Sequence, residues 1–402
     1  MLINQTFEID SCDDVELNIK RTSKLEYRIS YDDEKEMKAI VFIIGGFGAN
    51  ANISFLDFDR EYIAKKFDVV VINVFYHCFC ARRSIDEKYN PKLIPNKDDL
   101  KRINNILKNI NLGHLLANED NFEKIIPFIE QRAGEIKQAG LVDKSQKIEL
   151  FCDFVPPNGD YQNFGIMAAI DHINALKDLV KKFPNFKNLP KIYGGGSYGG
   201  YLSLLIAKIA PWHVDGVIDN SGSAIPPLKF ILGRESGASE FVFSSEVLNM
   251  YCFLKKYWTK NVNSPYYFDD ENYLIRVILN SNHLKIQTDI NIDIIFVSYH
   301  SQKDQATPAD YKFQLYEVYK FLKFDATLHL IDESKIDGKF IKNLDHGMRI
   351  SDKALFRKEL PLMLEKLQGR KSLMQENSIS YPCGNKVFTF KDVGNQLALE
   401  LN

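Results

Sequence analysis

The stretch KIYGGGSYGGYLSLLIAKIA, residues 191–210, predicts a strand, a very tight turn and a helix in direct succession. At its centre is the pattern G-x-S-x-G, formed by Gly195, Ser197 and Gly199. Such a turn needs small residues two places before and after the serine, because larger side chains there would collide with the strand and the helix. The stretch therefore predicts that Ser197 is a nucleophile presented at the carboxyl end of a strand.

A glycine-rich loop that binds phosphate is the alternative interpretation of the same stretch. It is disfavoured because the run lacks the Gly-Lys-Ser/Thr ending of such loops. No acidic residue that could bind a ribose follows at a convincing distance either.

The segments around this stretch indicate an α/β fold. KAIVFII (38–44) and DVVVINVF (68–75) are nearly continuous apolar runs, which is typical of parallel strands buried on both faces. Residues 3–9 and 24–31 alternate apolar and polar positions, as half-buried antiparallel strands do. Further strands are predicted at 191–194, 214–219, 293–298 and 326–331, and helices at 54–66, 165–183, 198–209, 309–322 and 352–367. We expect a mostly parallel, doubly wound sheet with antiparallel N-terminal strands.

Two segments interrupt this alternation and are predicted to be helical insertions. Residues 83–147 are charged and have amphipathic spacing, and residues 221–290 are rich in aromatic side chains. Both leave from the carboxyl ends of strands, where open α/β sheets bind their ligands. Residues 221–290 are therefore expected to form a cap, although both segments could also be satellite packing units. Residues 368–402 are a tail in which KVFTF predicts a hairpin or an edge strand.

A serine nucleophile needs a base and an acid that orients the base, and in this kind of fold they follow in the order Ser, acid, His. Asp304 lies in the loop after the strand that ends near residue 298, and His346 lies in a polar segment before the last helix. These two residues are our predicted acid and base. Asp219 and Asp332 remain as alternatives for the acid, and His300 and His329 as alternatives for the base.

Acyl transfer also needs backbone N–H donors for the oxyanion of its tetrahedral intermediate. Tyr198, directly after the nucleophile, is predicted to supply one. The second is expected from the GGFG segment at residues 45–48, through Gly46 or Phe47. The glycines of that segment, Gly48 included, would let the backbone approach a ligand closely.

Composition excludes several classes of protein. The 402 residues carry 51 Lys and Arg against 53 Asp and Glu, so there is no basic excess to bind nucleic acid. The N-terminus has no secretory signal pattern, and the longest apolar runs are strand-sized, so we expect a cytoplasmic protein that does not enter a membrane. Six scattered cysteines without a C-x-x-C pair suit reduced thiols.

A metal site is the remaining alternative near the strand ends. His77, Cys78, Cys80 and Cys152 are possible soft ligands. Cys78 and Cys80 have C-x-C spacing, which is shorter than structural zinc sites use, and no second pair follows. We predict no metal and no cofactor.

Taken together, these motifs resemble the α/β-hydrolase superfamily over residues 38–367. The resemblance implies a single α/β-hydrolase domain over residues 1–402 with the two insertions. The loop HSQKDQATP (300–308) is similar to the prolyl-oligopeptidase-like branch, whose acid loop reads H-G-x-x-D-x-x-x-P, although Ser301 replaces the glycine. The chain also resembles an uncharacterised family of campylobacterial proteins associated with flagellin-glycosylation loci, which implies an acylated sugar or an acyl donor as substrate.

The resulting hypothesis is a serine hydrolase that acts on a small acyl ester through an acyl-enzyme. An O-acyltransferase would use the same residues with a sugar hydroxyl in place of water. A peptidase is expected to be the poorer interpretation, because the cap looks too small to thread a folded chain. A non-catalytic accessory protein of glycosylation or assembly, with a reused hydrolase fold, is the alternative from another class.

Overall fold

The computed structural model describes residues 1–47, 53–372 and 375–402, and all elements below lie in these ranges. The strands are β1 Leu2–Asp10, β2 Lys24–Asp32, β3 Ile40–Ile43, β4 Val70–Phe75, β5 Lys92–Ile94, β6 Ile148–Val155, β7 Lys191–Gly196, β8 Gly216–Asn220, β9 Phe241–Ser244, β10 Leu248–Leu254, β11 Ile295–Ser301, β12 Asp325–Ile331, β13 Ser378–Cys383, β14 Lys386–Val393 and β15 Gln396–Leu401. The helices are α1 Ile53–Phe67, α2 Lys97–Asn109, α3 Phe122–Gln138, α4 Ile166–Lys182, α5 Tyr198–Ile209, α6 Leu228–Leu232, α7 Asp270–Arg276, α8 Ser281–Ile290, α9 Ala309–Phe321 and α10 Asp352–Lys366.

Eight strands form the central sheet in the order β1-β2-β4-β3-β7-β8-β11-β12. β2 runs antiparallel to both of its neighbours, β1 and β4. From β4 to β12 every neighbouring pair is parallel. This largely parallel sheet with antiparallel N-terminal strands is an α/β-hydrolase fold, so the predicted fold class is confirmed.

Helices cover both faces of the sheet, which explains the unbroken apolar runs of its inner strands. Successive residues of β3 point to opposite sides, so that Val41 belongs to one buried cluster and Phe42 to the other. α1 and α10 pack on the Val41 side, while α4, α5 and α9 pack on the Phe42 side. Within residues 1–47, 53–372 and 375–402, no helix is both long enough and apolar enough to span a bilayer.

A second sheet of four strands, in the order β5-β6-β10-β9, joins the two insertions. β6 directly follows residues 83–147, and β10 lies within residues 221–290. They pair in parallel, with Cys152 opposite Cys252. The prediction of helical insertions is therefore incomplete, because each insertion contributes strands as well as helices. The reason is that a strand's partner here lies about a hundred residues away, which local periodicity does not reveal.

The C-terminal tail forms a third, antiparallel sheet, in the order β13-β14-β15. KVFTF lies in β14, which forms antiparallel hairpins with β13 and β15; of the two alternatives, the hairpin is therefore confirmed and the edge strand is wrong. The sheet is fixed to the core by polar contacts: Tyr381 Oη donates to the carbonyl of Lys208 at 2.6 Å, and Lys177 Nζ donates to Asp392 at 2.7 Å. The tail is thus packed against the core.

Candidate active site

Ser197 occupies the turn between β7 and α5 in a strained backbone conformation. Its φ is 57° and its ψ is −118°, values that residues with a side chain rarely adopt. The Ser197 N–H donates to the carbonyl of Asn220 on the neighbouring strand at 2.7 Å. The sheet therefore holds the serine in place, with its side chain at the carboxyl edge of the central strands.

Two glycines make this turn possible because both lie against the same carbonyl. A Cβ on Gly195 or on Gly199 would lie 1.9 Å from the Ile44 oxygen, much closer than van der Waals contact allows. The end of β3, the turn and the first turn of α5 therefore pack backbone to backbone. This explains the requirement for small residues on both sides of Ser197.

The structure brings the three predicted residues Ser197, His346 and Asp304 into one hydrogen-bonded chain. His346 Nε2 lies 2.7 Å from Ser197 Oγ, and His346 Nδ1 lies 2.8 Å from Asp304 Oδ2. Asp304 sits in the loop between β11 and α9, and His346 opens a short helical turn after β12. The His346 side chain is 29 % exposed, while that of Asp304 is fully covered. The hydrogen-bonded series therefore runs from the buried Asp304 to an accessible Ser197.

The Asp304 carboxylate is held by donors from its own loop. Oδ1 accepts the N–H groups of Ala306 and Thr307 at 2.9 and 3.0 Å, and Oδ2 accepts the Thr307 hydroxyl at 2.9 Å. Burial favours the neutral acid, but the hydrogen bonds from His346 and from the Thr307 backbone outweigh it and lower the pKa of Asp304. The carboxylate is thus ionised and oriented toward His346 at neutral pH.

The alternative acids have other partners. Asp219 is fully buried and accepts from Lys312 Nζ, from the Ser298 hydroxyl at 2.8 Å and from the Gly222 N–H at 2.7 Å. It supports the sheet beneath the Ser197 turn. Asp332 caps a short surface turn by accepting the Ser334 N–H at 2.9 Å.

The alternative bases are also engaged elsewhere. His300 is buried beside Asp304 and has Nε2 2.8 Å from the carbonyl of Thr307. Burial, with the nearby Lys312 ammonium, lowers the pKa of His300 to about 4, so it is neutral. His329 stacks on Tyr299 within the sheet, with ring centroids 4.4 Å apart.

The predicted oxyanion donors surround Ser197. Tyr198 is the first residue of α5, so its N–H has no acceptor within the helix. Gly46 is adjacent, since a Cβ there would lie 3.6 Å from Ser197 Cβ, and Phe47 lines the same cavity as Ser197. Gly48 lies outside the described residues. Assignment of Tyr198 and of Gly46 or Phe47 as donors stays a prediction.

Ser197 and His346 open into a cavity of about 240 Å³. Of its fourteen described lining residues, six are Phe or Tyr, and five belong to the second insertion. The Phe47 ring lies 5.5 Å from that of Tyr198 and 5.2 Å from that of Phe230. The remaining lining residues are Arg82, Phe164, Tyr201, Ser223, Pro227, Glu240, Phe241, Ala306 and Thr307.

Three residues near the site escaped the sequence reasoning. Asp352 Oδ1 accepts the N–H of Gly196 at 2.9 Å, which anchors the turn one residue before Ser197. Burial raises the pKa of Asp352 to about 7. Gln162 accepts the Tyr198 hydroxyl at 3.3 Å, and Arg82 lines the cavity. Ser351 is a helix cap whose residue type indicates the start of α10. The sequence around Asp352 does not indicate that its side chain contacts the turn at Ser197.

The soft ligands considered for a metal are placed differently. His77 Nδ1 lies 3.5 Å from Asp160, and Cys152 Sγ lies 3.4 Å from Cys252 Sγ. Among the described residues, no three or more His, Cys, Asp or Glu side chains are grouped as a metal site would require.

Several solved hydrolase structures are similar to this chain at low sequence identity. An acylaminoacyl peptidase from Pyrococcus horikoshii is 13 % identical with a TM-score of 0.47, over 94 % of this chain and 43 % of the peptidase. A ferulic acid esterase is 7 % identical with a TM-score of 0.42, over 91 % and 98 % of the two chains. Esterase 2 from Thermogutta terrifontis is 12 % identical with a TM-score of 0.38, over 86 % and 89 %. The chain spans less than half of the length of the peptidase.

Family membership rests on a match along almost the entire sequence. No curated protein matches the chain. The model of the family described as Protein of unknown function (DUF2920) matches residues 5–401. The link to campylobacterial flagellin-glycosylation loci stays a prediction. The chain belongs to the DUF2920 family.

Proposed function

We propose that the protein is a serine hydrolase that cleaves a small acyl ester. The observation that carries this proposal is the hydrogen-bonded chain from Asp304 through His346 to Ser197, at a strained turn that faces an aromatic cavity. Nucleophile, base and orienting acid within hydrogen-bond reach are what acyl transfer by serine requires. The cavity is somewhat smaller than the range of about 300–1,000 Å³ usual for drug-sized ligands, which favours a short acyl group.

In the first half of the proposed reaction, His346 Nε2 takes the Ser197 proton as Oγ attacks the acyl carbonyl. Asp304 stabilises the imidazolium that forms. The oxyanion accepts the Tyr198 N–H and that of Gly46 or Phe47. When the intermediate collapses, the bond to the alcohol breaks, and His346 returns the proton to that leaving group.

In the second half, water attacks the acyl-enzyme while His346 removes its proton, which frees the acid and regenerates Ser197. Transfer of the acyl group to a hydroxyl acceptor would follow the same steps, with that hydroxyl in place of water. A cytoplasmic location and an acylated sugar as substrate remain predictions within this proposal.

Labelling with a fluorophosphonate tests the proposal, because the reagent reports an activated serine whatever the substrate is. We expect wild-type protein to be labelled, and Ser197→Ala and His346→Ala to lose labelling. Ser223→Ala is the matched control, since Ser223 lines the same cavity but donates to the Ile225 carbonyl instead of a histidine. Folded wild type that resists labelling, or labelling that survives in Ser197→Ala, would contradict the proposal.

The substrate class is tested next by comparing short 4-nitrophenyl esters with peptide 4-nitroanilides. We expect esters to be turned over preferentially, because the cavity suits a short acyl chain. Preferential cleavage of the peptides would make the protein a peptidase and overturn the ester assignment. Adding a sugar acceptor to the ester assay and analysing the products by mass spectrometry separates transfer from hydrolysis.

A further inference from the structure

The polar side chains that line the cavity are, with one exception, already occupied within the protein. Ser197 and His346 bond to each other, and Thr307 donates to Asp304. The remaining bonds are Tyr198 to Gln162, Tyr201 to the Arg276 carbonyl, Ser223 to the Ile225 carbonyl and Lys256 to Glu240. The exception among the described lining residues is Arg82.

Arg82 makes no hydrogen bond, ion pair or ring contact with the described part of the chain. It is exposed, in the segment between β4 and β5, and lines the same cavity as Ser197. Its neighbour Arg83 differs, because its guanidinium forms a surface ion pair with the Glu123 carboxylate, with the nitrogen 3.1 Å from the oxygen. A guanidinium is always charged and carries five N–H donors, so Arg82 offers an unused anion-binding group at the cavity.

The charges around the cavity leave Arg82 uncompensated. Glu240 is the acidic side chain among the described lining residues, and Lys256 binds it in a buried pair. That pair is neutral overall whether its proton sits on nitrogen or on oxygen. Arg82 is therefore the one Lys or Arg side chain among the described lining residues, and no acidic side chain in the described part of the chain pairs with it.

Building on the proposed function, we infer that the substrate's acyl group carries a carboxylate that Arg82 binds while Ser197 attacks the ester. Arginine and carboxylate match as a planar, bidentate pair. A carboxylate contributes one negative charge and balances Arg82, whereas a phosphate monoester, at about −1.5 to −2, would leave excess negative charge. The aromatic walls hold the apolar part of the same acyl chain. The substrate class is thus the monoester of a short dicarboxylic acid.

The test compares two esters that differ in this carboxylate alone: mono-4-nitrophenyl adipate and 4-nitrophenyl hexanoate. We expect the ratio of their kcat/KM values to favour adipate in wild type and to fall at least tenfold in Arg82→Gln, while kcat/KM for hexanoate changes less than twofold. Arg82→Lys should keep part of the preference. Arg83→Gln is the matched control and should behave as wild type. An unchanged ratio in Arg82→Gln would overturn the inference.

A binding measurement separates this inference from the proposed chemistry. Calorimetry measures the binding of monomethyl adipate to the Ser197→Ala variant and to the double variant Ser197→Ala, Arg82→Gln. This measurement needs no active nucleophile. We expect at least tenfold weaker binding by the double variant, and loss of the difference as NaCl concentration rises. Equal affinities would overturn the carboxylate assignment even if Ser197 is labelled. A clear difference would support it even if labelling fails.

Discussion

Asp304 is expected to act on the reaction through His346. In Asp304→Asn the amide cannot stabilise an imidazolium and would favour the wrong tautomer of His346. We expect kcat on a short ester to fall about 10³- to 10⁴-fold in protein that still folds, with a lower melting temperature because the ionised carboxylate that the fold stabilises is lost. Steady-state kinetics and thermal unfolding of the same preparation check this. Activity within tenfold of wild type would exclude Asp304 as the orienting acid.

Asp219, the alternative acid, is expected to contribute mainly to stability. It and Lys312 are both fully buried and bind each other. Removing the negative charge in Asp219→Asn leaves the Lys312 ammonium buried without a partner, which typically costs about 3–5 kcal/mol of unfolding free energy. Urea denaturation measures the loss. If Asp219→Asn were as stable as wild type but inactive, Asp219 and not Asp304 would be the acid.

The raised pKa of Asp352 predicts that the stability of the fold depends on pH. Its pKa is raised by burial to about 7, against a usual value near 4, so the folded state prefers the protonated acid. Ionisation therefore disfavours folding increasingly as pH rises from about 4 to 7. Asp352→Asn cannot ionise and can still accept the Gly196 N–H, so its melting temperature should exceed that of wild type at pH 8 and by less at pH 5. A gap that widens toward low pH would contradict this.

The residues that sequence could and could not predict differ in how local their signals are. Ser197 lies in a pattern five residues long, and chain order with loop position then picks out Asp304 and His346. Asp352 and Arg82 have no such pattern. Asp352 reaches Gly196 across 156 positions. Arg82 is singled out by having no partner among the residues that the structure describes, which the folded structure alone reveals.

The close packing of α5 against the end of β3 predicts the effect of enlarging a glycine in α5. In Gly199→Ala the new Cβ would lie 1.9 Å from the backbone oxygen of Ile44, so the helix or the strand must move. Overpacking of this kind costs about 1–3 kcal/mol or more, and the displaced turn should abolish fluorophosphonate labelling.

Gly134→Ala is the matched control, a glycine-to-alanine change in a different helix. Gly134 lies inside α3, and a Cβ there meets nothing within 4 Å. Alanine should therefore stabilise the protein by about 0.5–1 kcal/mol and keep labelling. Urea denaturation of both variants compares the two effects. Equal stability of Gly199→Ala and Gly134→Ala would show that the close approach at Ile44 is relieved without cost.

A strand could be predicted where the pattern of apolar residues in its own sequence is sufficient to identify it. The runs that became β3 and β4 are nearly all apolar, with Asn73 as the polar residue within β4, because helices cover them on both sides. IELFCDFV, which forms β6, instead alternates buried and partly exposed positions. Its parallel partner β10 comes from the second insertion, so the sequence near either strand does not indicate the pairing.

Across the whole molecule, a buried ion pair ties the N-terminal segment to the second insertion. Arg276, the last residue of α7, donates to both carboxylate oxygens of Glu16, and neither side chain is exposed. Arg276→Met would leave Glu16 buried without a counter-ion, and we expect a loss of about 3–5 kcal/mol in urea denaturation.

Lys320→Met provides the control for a pair of the same charges at the surface. Lys320 and Glu317 are well exposed, so their pair should contribute less than about 1 kcal/mol. If Arg276→Met were no more destabilising than Lys320→Met, the insertion would be held to the core without help from this pair.

The four-stranded sheet shared by the insertions has a consequence for the order of folding. During synthesis β6 is made about a hundred residues before β10, the strand with which it pairs. The sheet that carries Phe241 therefore cannot form until β10 has been made. His346 is made later still, 149 residues after Ser197. Such distant contacts form slowly, because the intervening chain must first be ordered. A chain interrupted before residue 346 therefore contains Ser197 without its proposed base, and under the proposed function reactivity toward esters would arise only after His346 has been made.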